Sequence, residues 1–208
     1  RLGGILLKLS KQLQDLGNEL HAKRLIGADI IEELLSQQLI RIDLPNARLA
    51  LRWKPAAISS FGMYLPDFLF SANPGTNLLS LSKSASGGEQ SRVKLALKAV
   101  LGQKKHLSSQ IFDEIDTGIS GSTAEKVGEL MKEMSVNQQI IAITHLPQVA
   151  AKGDVHLLVS KSHHMGSTYS NVVPLTHEKR KGEIARMLSG ETITKAALNQ
   201  AESLLKPH

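Results

Sequence analysis

The chain has 208 residues, enough for one domain with a substantial core and an appended element. Hydrophobic residues make up 41% and charged residues 21%, which excludes a disordered chain, and no run of about 18 apolar residues exists to cross a membrane. There is no cysteine, which excludes disulfides and thiolate metal sites, while the net charge of +6 is compatible with a nucleic-acid partner without demanding one.

The chain opens at Arg1 rather than Met, as expected of a piece of a longer protein, and the stretch RLGGILLKLSK is too short and too often interrupted by lysine for a signal peptide. Leu2, Leu6, Leu9, Leu13, Leu16 and Leu20 step alternately by four and three, the seam of a heptad helix. Lys8, Lys11, Gln12, Asp15 and Glu19 fall on its wet side. Lys23 and Gly27 interrupt the seam before Ile30 and Leu34 restore it. Two readings fit: an amphipathic helix packed on its own domain, or the returning end of a coiled-coil arm entering a globular head. The second divides the chain into an arm end, 1–42, and a head lobe, 43–208.

Leu44-Pro45-Asn46 predicts the end of that helix. Alternation over 47–53 and 67–71 predicts antiparallel strands at the edge of the head, separated by a Pro- and Gly-containing segment, and Asn73-Pro74-Gly75 reads as a turn. From there helices and strands alternate. Helices are expected over about 89–101 and 123–134, a strand ending at Phe112, a buried strand over 139–144 and a short helix from Pro147. Strands over 155–160 and 171–175 form a hairpin across the polar SHHMGSTY loop, and helices over 178–188 and 194–205 close the chain. The pattern is α/β, a mainly parallel sheet with flanking helices preceded by a heptad helix.

Three segments carry chemistry. Ser86-Gly87-Gly88-Glu89-Gln90 places glycines just before a helix, where backbone N–H groups and the positive helix end suit a phosphate, and Ser86 can add a hydroxyl. A glycine turn with a serine cap fits the same residues, and Arg92, Lys94 and Lys98 are then solvent-facing charges. In Ile111-Phe112-Asp113-Glu114 an apolar strand ends in two carboxylates at the edge where α/β clefts lie. Asp113 suits Mg²⁺ held through water, and Glu114 can orient an attacking water; a pair of carboxylates capping the turn is the alternative. Asp116 stands in a loop rich in Gly and Ser, suited to close backbone approach across an interface. His145 ends the third segment, Ile140–Thr144, where an imidazole can donate to a terminal phosphate, carry a proton or serve as a structural hydrogen-bonder. His163-His164 reads as solvated; Lys104-Lys105 and Lys179-Arg180-Lys181 read as wet faces able to touch a nucleic-acid backbone. Nowhere does G-x-x-x-x-G-K-[ST] occur.

In order and spacing, SASGGEQSR resembles the signature of ATP-binding-cassette (ABC) ATPases, IFDEID the Walker B strand with its D-loop, and ITH the H-loop. The wider wording, ASGGE-x-S-R, FDEIDTGISG and THLPQVAAKGD, with LPNARL, FLFSANPG, EIARMLSG and TKAALNQAESLL, resembles the RecN family of bacterial DNA-repair proteins, relatives of the structural-maintenance-of-chromosomes (SMC) ATPases. The resemblance runs from Leu44 to the end, with the heptad helix where that family's coiled coil rejoins its head. It implies the C-terminal half of a P-loop head of ABC/SMC type in a cytoplasmic, nucleoid-associated protein. The lobe carrying Walker A would lie upstream across a coiled-coil excursion, and two heads would sandwich two ATP molecules. Ser86, Gly87, Gly88 and Glu89 would face the ATP of the opposite head, and Asp116 would lie at the dimer seam. Asp113 would help hold Mg²⁺, Glu114 would activate water and His145 would sense the γ-phosphate. ATP binding would join heads and hydrolysis release them, coupled to binding or tethering DNA during double-strand-break repair.

Gln90 departs from the aliphatic residue common in that family, and Ser108-Ser109-Gln110 makes the start of the Walker B strand polar. Without Walker A the chain alone is expected neither to bind ATP strongly nor to hydrolyse it. Another SMC-like chromosome-organising ATPase, or a non-enzymatic module for dimerisation and DNA interaction, are the alternatives.

Overall fold

A computed structural model describes residues 2–105, 107–113, 115–164 and 167–206. Glu114 lies outside the described residues. The chain forms two compact units, 1–101 and 102–208.

In the first unit the heptad pattern becomes one helix, α1 (Leu2–Arg41), as expected. Its leucine seam is open: Leu2, Leu6, Leu9, Leu13 and Leu16 are all at least half exposed. The face that packs is displaced by one residue, about 100° around the axis, and runs through Gly17, His21, Arg24, Ala28 and Leu35. It lies against a hairpin of β1 (Arg48–Ser59) and β2 (Gly62–Ser71), which turns at Ser60-Phe61. Gly62 takes φ +92°, a conformation that favours glycine. A Cβ at Gly17 would lie 2.3 Å from Met63 Sδ, so a larger residue there would have to push the flexible Met63 side chain aside. His21 stacks on Tyr64 with ring centroids 3.8 Å apart and meets Trp53 edge-on, while Arg24 donates to the Phe61 carbonyl at 2.6 Å. These contacts carry the pairing through the stretch whose prolines suggested a loop, with a bulge between Pro55 and Ser59.

The helix stops before its proline. Asp43 adopts φ +62° and the Leu44 N–H donates to the Leu39 carbonyl at 2.9 Å, a Schellman turn whose two leucines are both buried. A short strand, β3 (Leu79–Ser80), pairs with β2, and the helices α2 (Leu81–Ser84) and α3 (Gly87–Lys105) follow. The division between the units falls within α3.

The second unit holds the parallel pairing, between β4 (Ser109–Phe112) and β5 (Gln139–Ala142). The other described sheets are antiparallel. Helix α4 (Gly121–Met134) connects the pair and buries Ala124, Val127, Leu130, Met131 and Met134. After α5 (Pro147–Lys152) comes a hairpin of β6 (Leu157–His164) and β7 (Ser167–Pro174), longer at its tip than the sequence suggested. The side chains of His163 and His164 lie outside the described residues. Helices α6 (His177–Ser189) and α7 (Lys195–Leu205) close the unit around Ile184 and the alanines Ala151, Ala185, Ala197 and Ala201, whose small side chains let three helices approach.

Two expectations change here. The strand expected to be buried over 139–144 ends at Ala142, and its side chains are largely exposed, Ile141 at 42% and Ile143 at 57%. The reason is that, among the described residues of this unit, one face of the two-stranded pair is left largely exposed, with Ile111 of β4 60% exposed on the same side. Arg180, expected on a wet face, instead donates to the carbonyls of Ala150, Ala151 and Gly153 and so caps the end of α5. Its neighbour Lys181 pairs with Glu202 on α7.

Candidate functional site

The signature turn belongs to the first unit. Ser86 caps α3: its Oγ accepts from the Glu89 N–H at 3.4 Å, and a Glu89 carboxylate oxygen accepts from the Ser86 N–H at 2.8 Å, a reciprocal capping box. The N–H groups of Gly87 and Gly88 have no carbonyl of their own helix within reach, as in any first turn. Gly87 is exposed and Gly88 buried. Gln90, the departure from the family pattern, donates from Nε2 to the Ala85 carbonyl at 3.1 Å and braces the turn.

One residue here was not legible in advance. Arg92 is half-buried; its Nη1 donates to the carbonyls of Ile42 and Asp43 at 3.3 and 3.1 Å, and its Nε to the Gly88 carbonyl. It therefore ties the end of α1, where helix carbonyls lack partners and the dipole is negative, to the first turn of the signature helix. Burial lowers the guanidinium pKa, opposed by the charges of Glu89 and Asp43.

In the second unit, the register Phe112↔Ala142 and the Ile143 N–H···O=C Phe112 bond of 2.8 Å bring both strands out at one carboxyl edge. Asp113 leaves β4 there with an exposed side chain. A single carboxylate suits Mg²⁺ as one ligand among waters; among the described residues no group of three or more His, Asp or Glu is close enough to form a dedicated metal cage. The polar start of β4 is satisfied within the sheet, Ser109 Oγ donating to Gln139 at 3.0 Å and Gln110 Nε2 to Gln138 at 2.8 Å.

Asp116 and His145 are brought together. Asp116 is only 3% exposed, and its Oδ2 lies 2.7 Å from Thr144 Oγ1, 2.8 Å from the His145 backbone N and 3.0 Å from His145 Nδ1. Its carboxylate points into its own chain, while Thr117, Gly118, Ser120 and Gly121 of the same loop are exposed. Thr144 was missed in the sequence; its signal was a hydroxyl one residue before the histidine and two before the Leu146 N–H that its Oγ1 accepts at 3.0 Å. Nearby, His156 has its pKa lowered by burial first and by the charge of Arg180 second, opposed by Glu183.

A cavity of about 520 Å³ opens beside this edge. It is lined by residues 139–142 of β5 on one side and by 154–157, leading into β6, on another, with Lys152 and Val149 of α5 between them in sequence. No described strand pairs with both β5 and β6.

No protein-family model matches the chain. Over 197 residues it is 44% identical to DNA repair protein RecN of Rickettsia conorii, covering 95% of this chain and 36% of the relative. The RecN of Bacillus subtilis is 43% identical over 153 residues, 74% of this chain and 27% of the relative. The chain thus spans roughly a third of the length of the curated relatives it matches. Among solved structures, the Smc head domain with a coiled coil and joint from Pyrococcus yayanosii is similar with a TM-score of 0.59 at 23% identity, over 91% of this chain and 32% of that one, a likeness of fold. With the α/β architecture of an SMC-type head and this identity along nearly its whole length, the chain belongs to the RecN family of DNA repair proteins.

Proposed function

We propose that the chain is the C-terminal part of an ATP-hydrolysing DNA double-strand-break repair protein, comprising the end of its coiled-coil arm over 1–42 and the C-terminal lobe of its head over 43–208. The observation that carries this reading is the unfinished sheet. Parallel strands are ordinarily covered on both faces, yet Ile111, Ile141 and Ile143 are bare, and β5 and the approach to β6 flank a cavity that a further strand would fill. The phosphate-binding loop G-x-x-x-x-G-K-[ST] is a sequence this chain lacks, and a strand leading into it would suit that place. The chain is therefore half of a site, completed by the N-terminal lobe of the same protein, which brings the triphosphate.

ATP with Mg²⁺ supplies the bond that is hydrolysed. Asp113 helps hold the metal, Glu114 orients the attacking water, and His145 faces the terminal phosphate. The turn Ser86-Gly87-Gly88-Glu89 faces the nucleotide of a second head, with the glycine N–H groups left over by the capping box as its donors, and the loop after Asp116 lies at the seam between heads. Closure of two heads on ATP, and their release on hydrolysis, is coupled through the arm to DNA at the bacterial nucleoid. The open leucine seam of α1 is the surface on which the outgoing strand of the arm lies.

The test uses the chain together with a lobe carrying G-x-x-x-x-G-K-[ST], with Glu114→Gln to block hydrolysis. The expected outcome is an ATP-dependent dimer by light scattering, with turnover in the parent pair and none in the chain alone. Dimerisation indifferent to ATP would overturn the reading in favour of a non-enzymatic module. Turnover by the chain alone, abolished by Glu114→Gln, would show that no second lobe is needed.

A further inference from the structure

We propose that Asp116 is the positioning residue of His145, holding its ring so that Nε2 is the nitrogen offered to the phosphate; this rests on the reading of His145 as the group facing that phosphate. A single oxygen, Asp116 Oδ2, accepts from the Thr144 hydroxyl at 2.7 Å and the His145 backbone N–H at 2.8 Å, and lies 3.0 Å from His145 Nδ1. The carboxylate is 4% exposed and the imidazole 76% exposed. An imidazole that open would otherwise rotate freely and exchange its proton between nitrogens. Here the backbone N–H of the residue is bonded to one carboxylate oxygen, and its ring nitrogen Nδ1 lies at ion-pair distance from the same oxygen.

An ionised carboxylate only accepts, so the nitrogen facing it carries the hydrogen. Nδ1, at ion-pair distance from that carboxylate, is thereby the nitrogen on which the hydrogen is favoured, which leaves Nε2 for the phosphate. Thr144 contributes direction. Its Oγ1 accepts from the Leu146 N–H at 3.0 Å, which commits the hydroxyl hydrogen to Asp116. The chain of donors runs one way, from Leu146 through Thr144 to the carboxylate. The loop after β4 thus clamps the turn after β5, and the residue expected at an interface acts through its own chain. The pattern is that of a ligand histidine whose second nitrogen is oriented by a buried carboxylate.

Two measurements test this. The first needs no nucleotide: long-range ¹H–¹⁵N spectra of the labelled chain at about pH 8, where an ordinary imidazole is neutral, with the His145 signals identified by their loss in His145→Gln. The Nδ1–H tautomer is expected in the parent and in Thr144→Val, and a mixture of tautomers in Asp116→Ala. A tautomer mixture already in the parent overturns the proposal, whether or not Asp116→Ala folds. The second uses the complete protein. Asp116→Ala is expected to lower kcat about tenfold to a hundredfold with little change in KM, and His145→Ala/Asp116→Ala is expected to be no slower than His145→Ala alone. Additive losses overturn the positioning role. A fixed tautomer with undiminished kcat in both Asp116→Ala and His145→Ala instead overturns the phosphate-facing reading of His145, so the two failures are told apart.

Discussion

The sheet of β1, β2 and β3 and the pair β4–β5 are both small, yet only the first is finished. The antiparallel sheet lays its hairpin on α1 and buries Leu69, Phe70 and Ser71 at the base of β2. The parallel pair buries Gln110 and Phe112 on one side and leaves Ile111 and Ile143 in water on the other. Antiparallel sheets tolerate one wet face, whereas parallel ones ordinarily have both covered. The difference teaches that the first unit carries its own cover, while the described residues of the second leave one face of its parallel pair exposed, as the proposed function expects.

The sharpest way to break that comparison is at its finished end. Phe70 is fully buried, and Phe70→Ala is expected to cost about 3–5 kcal/mol in the first unit, followed in urea by the fluorescence of Trp53, the single tryptophan. A loss below about 1 kcal/mol would mean that this sheet is no better packed than the open one. Arg92→Ala comes next, at about 1–3 kcal/mol, because it strips donors from half-buried carbonyls at the end of α1. Arg92→Lys should recover only part of this, since an ammonium cannot span three carbonyls as the planar fork does. Full recovery by lysine would reduce the contact to simple charge.

Much of this was readable from residues alone. The heptad spacing gave α1, and the apolar runs before Asp113 and His145 gave two strands, the first ending at Phe112 as expected and the second two residues short of Thr144. What could not be read was which face of α1 packs, since Gly17, His21 and Arg24 match no apolar period. The hairpin's outer half was hidden for a related reason: Pro55 and Pro66 are turn signals locally, and only Gly17 against Met63 and His21 on Tyr64, meeting across more than 40 residues, override them. In the site, the pairing of Asp116 with Thr144 and His145 depends on a parallel register that no local pattern encodes.

A smaller effect is expected from pH at the open side of the second unit. His156 titrates below its ordinary 6.5 because it is partly buried beside Arg180, with Glu183 opposing. In the unfolded chain it takes its proton first, so its contribution falls as pH drops through 6.5 toward the folded value and levels off below that. Thermal unfolding of the parent should therefore lose more between neutral and mildly acid pH than His156→Gln does. Equal losses would show that His156 plays no part. Because His156 lines the cavity beside β5, covering it with the N-terminal lobe should deepen the difference.

The smallest effect tests the comparison most directly. Ile143 is 57% exposed, so Ile143→Ser should change the stability of this chain by no more than about 0.5 kcal/mol in urea unfolding. Joined to the N-terminal lobe, the same substitution should weaken assembly by about 1.5–3 kcal/mol, the value of burying an isoleucine side chain, read as a dissociation constant raised about tenfold or more. The contrast is the point: an apolar residue that is dispensable to the fold it stands in, and needed by the fold it completes, identifies the bare face as an internal surface. Equal effects in both settings would make Ile143 an ordinary surface residue and the parallel pair a sheet that is complete as it stands.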